Sequence, residues 1–145
     1  MAWSIIETTA DMGLRIEDTE SWIQTIEHAI HALQTFVVVS TPPIDSHESK
    51  PIRIPRTTVN ENIDYERDLV RILDEIVYHN DVHDEWIVRA DVSIDNEAYT
   101  IHPHVIDESK ITRSVEVKAI TRHGLFVKRP DDMTESWIAQ VILDL

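Results

Sequence analysis

The sequence predicts an α+β fold, and three observations carry that expectation. Two stretches place apolar residues at helical spacing. Several others alternate apolar and polar in the manner of a strand. The strand-like stretches gather into hairpins towards the C-terminus instead of alternating regularly with helices, as a parallel α/β sheet would require. The expected architecture is a mixed or antiparallel sheet with two main helices.

Residues 2–7 and 13–17 read as two short strands around a turn at Asp11. Ser21 then opens a helix. Ser21 and Gln24 have capping-box spacing, and Trp22, Ile26, Ala29, Ile30, Leu33 and Val37 share one face. Ser40-Thr41-Pro42-Pro43 stops this helix, and residues 44–50 read as a polar loop. Residues 51–59 suit a strand, with Pro51 and Pro55 pointing to a sheet edge. Asp64 is placed to cap a second helix over 65–79, whose stripe is Leu69, Ile72, Leu73, Ile76 and Val77. Trp86 to Ile94 alternates as a strand, Asp95-Asn96 turns, and a further strand is expected near 97–102. Residues 103–113 read as irregular. A strand begins at Val115 and runs to Val127, and after Pro130-Asp131-Asp132 the last strand covers 136–143.

Composition narrows the function. A chain of 145 residues fits one domain, 1–145, and no apolar stretch reaches the length of a membrane span. There is no cysteine, so disulfides and thiolate metal sites are excluded. The N-terminus Met1-Ala2-Trp3-Ser4 has no signal-peptide core, so a cytoplasmic protein is expected. Net charge is −14, from 27 acids against 13 bases, which opposes strong direct binding of nucleic acid. Only Lys50, Lys110, Lys118 and Lys128 are lysines; a high-salt cytoplasm and an ordinary acidic protein account for this equally well. Gly13 and Gly124 are the only glycines, so a glycine-rich phosphate loop is excluded.

Among candidate sites, the pairs His28/His31 and His102/His104 have spacings open to a transition metal. The first pair lies beside an apolar helix stripe and the second in an irregular segment, so a structural role is preferred. The acids near the two ends are stronger. Val141-Ile142-Leu143-Asp144-Leu145 is an apolar run closing on a carboxylate, and Asp11 follows a similar run. If the first and last strands are neighbours, Asp11 and Asp144 can share one hard cation through oxygen ligands. The competing reading has both acids capping strand ends in solvent. Lys118 lies among small apolar residues in a strand pattern that puts Lys118, Ile120 and Arg122 on one face. His123 beside Gly124 has the composition of a bulge.

Taken together, these segments resemble the archease family. Thr8-Thr9-Ala10-Asp11-Met12-Gly13-Leu14 is close to the family's opening His-Thr-Ala-Asp-Ile-Gly motif. Leu73-Asp74-Glu75-Ile76-Val77 is similar to its second-helix pattern, and Glu116-Val117-Lys118-Ala119-Ile120-Thr121-Arg122-His123 to its Glu-Val-Lys-Ala-Ile-Thr-Tyr-His. The ending Trp137 to Leu145 resembles the family's last strand. The sequence departs at Thr8, at Arg122, and in residues 103–113, where a Gly-Glu common in the family has no counterpart.

The resemblance implies a protein that is not an enzyme. It implies a protein cofactor of the tRNA-splicing RNA ligase, promoting guanylylation and repeated turnover of that GTP- and manganese-dependent partner. It implies a divalent-ion site, usually assigned to calcium, built from Asp11, Asp144 and the backbone oxygen of Leu145. It places Lys118 and His123 near the functional surface. It also implies a strand-helix-strand-strand insertion, put roughly at residues 40–100. A metal-dependent hydrolase or nuclease holding Mg2+ with Asp11 and Asp144 is the alternative, and an inert calcium-stabilised scaffold a third reading.

Overall fold

The chain ends and the chain middle build separate sheets. Strands β1 (Trp3–Glu7) and β2 (Met12–Thr19) precede helix α1 (Trp22–Val37). Four short strands follow: β3 (His47–Glu48), β4 (Ile52–Pro55), β5 (Thr58–Val59) and β6 (Asn62–Ile63). Helix α2 (Tyr65–Val82) leads to β7 (Glu85–Ile94), β8 (Ala98–Asp107), β9 (Ala119–Lys128) and β10 (Trp137–Asp144). This computed structural model describes residues 2–7, 12–39, 45–59, 62–131 and 135–145.

The terminal sheet is antiparallel, in the order β1-β2-β10-β9. The middle sheet has β8 at its centre, with β7 on one side and β3 and β4 in succession on the other. Strands β5 and β6 form a hairpin of their own. The fold is thus α+β with antiparallel sheets, as the sequence predicts. Helix α1 packs against β2 of the terminal sheet and β7 of the middle one, and α2 packs against β9 and β7. One apolar cluster fills the space between, with Leu14, Ile16, Ile26, Ile30, Leu33, Ile72, Leu73, Ile76, Ile87, Val141 and Leu143 fully buried. Each large aliphatic side chain buried in this way contributes about 1.5–3 kcal/mol.

The helix starts follow the sequence closely. Ser21 accepts from the Gln24 N–H at 3.0 Å. The return bond of the capping box is displaced: the Gln24 side chain accepts from the Glu20 N–H at 2.8 Å, one residue before the cap. Asp64 caps α2 by accepting from the Arg67 N–H at 3.1 Å. Helix α1 ends at Val37, ahead of the expected prolines. Val38 turns extended and bridges Arg113, and the Val39 N–H bonds the Thr112 carbonyl. Ser40-Thr41-Pro42-Pro43 lies outside the described residues. Helix α2 runs three residues past the expected 79, to Val82.

Four strand expectations need correction. The polar loop 44–50 contains the two-residue strand β3, paired with His104 and Val105. The expected strand 51–59 breaks after Pro55, because the Arg56 N–H turns to the Glu97 carbonyl and the Thr57 N–H to the Asp68 carboxyl. Pro51 and Pro55 do lie at a sheet edge, since β4 pairs with β8 alone. Residues 103–107, expected to be irregular, continue β8. Pro103 fits inside a central strand because its carbonyl accepts from Ser49, in the gap between β3 and β4, so the donor it lacks is not needed there. The strand expected from Val115 begins only at Ala119.

Candidate functional site at the margin of the terminal sheet

Antiparallel pairing gathers one end of β10 with the starts of β2 and β9. Leu143 pairs with Met12, and Asp144 pairs with Ala119. Glu7, the last residue of β1, pairs with Met12 on the other side of β2. Ala139, Val141 and Leu143 point into the core, so Gln140, Ile142 and Asp144 stand on the opposite, outer face of the sheet. Asp144 and Leu145 are exposed.

The Lys118 main-chain N–H donates to the Asp144 carbonyl at 2.8 Å, which holds the segment before β9 against the chain end. Neither the Asp144 carboxylate nor the Lys118 ammonium has an ion-pair partner among the described residues. Lys118 lies before the strand and is exposed, so it is not part of the strand that carries Ile120 and Arg122. Asp11 lies outside the described residues. Its chain neighbour Met12 sits opposite Leu143, the chain neighbour of Asp144. Among the described residues no group of three or more His, Asp or Glu side chains is arranged to hold a metal ion. The oxygens of Asp144 and Leu145 belong to the donor class that suits a hard cation.

His123 falls in a bulge, as its sequence context suggests. Thr121 pairs with Ile142 and Phe126 with Gln140, so four residues of β9 face a single residue of β10. Gly124 sits in that bulge at φ +75°, a left-handed conformation that glycine adopts without strain. The Gln140 side chain donates to the Gly124 carbonyl at 3.0 Å and accepts from Arg15 at 2.6 Å. Beneath the bulge, Ile6 and Ile142 close over Gly13; a Cβ there would stand 2.7 Å from Ile6 Cγ1 and 2.8 Å from Ile142 Cδ1.

Helix α2 touches the same strand. Asp74 accepts from the Ile120 N–H at 3.1 Å. Burial raises its carboxyl above the ordinary value, and the Ile120 bond and the nearby Arg122 charge offset part of that rise. Asp74 forms part of the helix pattern that resembles the family, but its contact with β9 is not visible in the sequence.

The histidine pairs have other partners. His31 stacks edge-on against Trp3, with ring centroids 6.0 Å apart. His104 bonds the Asp91 carboxylate at 2.8 Å, and His102 lies 3.3 Å from the Ser93 hydroxyl.

A second polar constellation escapes sequence reasoning. Asp68 is fully buried; it accepts from the Tyr99 hydroxyl at 2.6 Å and from the Thr57 N–H at 2.9 Å. The Tyr99 oxygen accepts in turn from the Trp22 indole at 3.0 Å. Burial, and then the bond to Asp68, push the Tyr99 hydroxyl well above its ordinary value, so it stays a donor. The available signal is the position of Asp68, one helical turn before Ile72 on the apolar stripe.

Comparisons with known proteins bear on the family and the fold. The family model described as Archease protein family (MTH1598/TM1083) matches residues 3–145. The solution structure of Methanobacterium thermoautotrophicum protein 1598 aligns with a TM-score of 0.72 at 23% identity, covering 99% of this chain and 99% of that one. Comparison with curated proteins returns no match. At 23% identity the structural likeness speaks for the fold alone.

Proposed function

The chain belongs to the archease family, and from that premise we propose that it is a non-catalytic activator of the tRNA-splicing RNA ligase. The observation that carries this reading is a family match running over residues 3–145. In this reading the protein promotes ligase guanylylation and repeated turnover, and has no nucleotide or RNA chemistry of its own. Activation then means shifting the ligase towards its guanylylation-competent state, which requires that this chain bind that state more tightly than the others.

The working surface is the margin formed by Lys118, Asp144 and Leu145, with His123 on the adjoining bulge. Asp11, Asp144 and the backbone oxygen of Leu145 are the residues proposed to hold a divalent cation, of which calcium suits an oxygen-only donor set. A bound cation there supplies fixed positive charge and ties the last strand to the segment before β2. The exposed Asp144 carboxylate, with no ion-pair partner among the described residues, is compatible with that role. Lys118, tied by its main chain to Asp144, is proposed to meet a partner carboxylate or a phosphate through a charge-assisted hydrogen bond. The middle segment, roughly 40–100, is proposed as an insertion into the domain formed by the chain ends.

The test mixes the protein with its cognate ligase, GTP and manganese. Guanylylation is expected to accelerate and RNA joining to become multiple-turnover, with most of the gain absent for Asp144→Ala. Calorimetry is expected to give calcium binding by wild type and none by Asp144→Ala. Metal-dependent RNA cleavage by the protein alone, absent in Asp11→Ala and Asp144→Ala, would instead make it a nuclease.

A further inference from the structure

Residues 117–130 contain no acid, although the chain carries 27, and they hold Lys118, Arg122, Lys128 and Arg129 of its 13 lysines and arginines. The longer acid-free stretch, 28–44, contains no lysine or arginine. Most of the basic stretch lies on β9, the edge strand of the terminal sheet, with Lys118 and Arg129 just outside its two ends. Arg122, His123, Lys128 and Arg129 are exposed.

The strand is held in place along its length. Asp74 of α2 accepts from the Ile120 N–H at 3.1 Å, and Glu66 of α2 accepts from the Val127 N–H at 3.4 Å. These bonds occupy donors that an added strand would need, so strand addition is not the mode of contact. Between them the bulge is pinned by the Gln140 bond to the Gly124 carbonyl and packed from below by Ile142, 3.1 Å from where a Gly124 Cβ would lie. Arg129 lies over the Tyr65 ring, 5.6 Å from its centroid. The cations therefore project from a fixed backbone over at most about 20 Å from Arg122 to Lys128, at roughly 3.3 Å per residue.

Building on the proposed function, we propose that this basic strip of β9 is the surface by which the protein docks on an acidic patch of its ligase partner, with Arg122 and Lys128 as its main cations. A protein partner is favoured over RNA by the surroundings of the strip. Asp74 and Glu66 stand beside it, the Asp131 carboxylate lies 3.9 Å from the Lys128 ammonium, and the whole chain carries −14. A phosphate backbone presents charge continuously and meets those acids as well as the cations. Discrete carboxylates on a folded surface can be set against Arg122 alone, with the two-pronged geometry that guanidinium favours.

The test measures the affinity of the purified ligase for this protein, without RNA, across a salt series. Wild type is compared with R122E/K128E and with R53E/R89E, a control that changes net charge equally but on the middle sheet. The strip variant is expected to bind at least tenfold more weakly with a flatter salt dependence, and the control within twofold of wild type. Equal melting temperatures separate docking from folding; if R122E/K128E does not fold, R122Q/K128Q is expected to weaken binding about threefold. Unchanged affinity in the strip variants, while wild type binds and activates the ligase, overturns this proposal and leaves the proposed function standing. A loss seen only when RNA is present overturns it in favour of RNA contact. No binding by wild type at any salt overturns both.

Discussion

The middle sheet and the terminal sheet treat polar groups in opposite ways. Where the middle sheet meets the helices, several polar side chains are buried and matched. Asp68, Tyr99 and Trp22 form one chain of hydrogen bonds, and Gln34 and Asn80 exchange amide bonds at 2.9 and 2.8 Å while Gln34 also bonds the Ile87 carbonyl. At the margin of the terminal sheet Asp144, Lys118 and Arg122 stand exposed, and His123 beside them. Charges matched internally hold the fold together. Charges left at a margin are free to meet a cation or a partner. Substitutions should therefore divide by sheet, with stability lost in the first set and partner function in the second.

The largest expected effect is at Asp68. Asp68→Ala leaves the buried Tyr99 hydroxyl and the part-buried Thr57 N–H without their acceptor, and opens a cavity. At about 1–3 kcal/mol for each stranded donor, the loss is expected to be roughly 3–5 kcal/mol by urea denaturation. Tyr99→Phe removes one hydroxyl from the same chain and is expected to cost about 1–3 kcal/mol. If Asp68→Ala costs under about 1 kcal/mol, the middle sheet does not rely on this lock.

A comparable stability effect in the terminal sheet is expected only where packing is tight. Gly13→Ala pushes a methyl group against Ile6 and Ile142, at about 1–3 kcal/mol for overpacking. Ile142→Val removes the Cδ1 atom that would clash and is expected to recover part of that loss in the double variant. Simple additivity of the two would show that the contact does not limit packing.

The smallest effect concerns pH. His79 is buried at the C-terminal end of α2, its ring 4.3 Å from that of His83, with Glu85 of β7 nearby and His47 of β3 3.9 Å from Glu85. Burial first, and then His83, hold His79 below its ordinary value of 6.5, while Glu85 acts the other way. The unfolded chain therefore binds the proton before the folded one does, so stability falls as pH drops below about 6.5. Melting temperatures from pH 7.5 to 5 should show this decline in wild type and a shallower one in His79→Leu.

What could be read from the sequence depended on whether the deciding contact is local. Both helices were legible because their apolar stripes repeat over four or five turns, and Ser21 and Asp64 mark their starts. Strand β7 alternates cleanly enough to stand out. Strand β8 past His102 was hidden by Pro103, because no local pattern shows that β3 and β4 leave a gap facing that residue. The break after Pro55 was hidden for a similar reason, since it depends on Asp68 taking the Thr57 N–H from eleven residues away. At the site, the sequence drew notice to Asp144 by its place after an apolar run, and to His123 by the adjacent glycine. The contact of Asp74 with Ile120 joins residues 46 positions apart, and no spacing rule reaches that far.

The most direct test of this division assays two variants side by side for melting temperature and for multiple-turnover RNA joining by the cognate ligase. Asp144→Ala is expected to melt close to chelated wild type yet lose most of the activation. Tyr99→Phe is expected to melt several degrees lower yet activate fully at a temperature where it remains folded. Full activation by Asp144→Ala, or lost activation by folded Tyr99→Phe, would contradict the account.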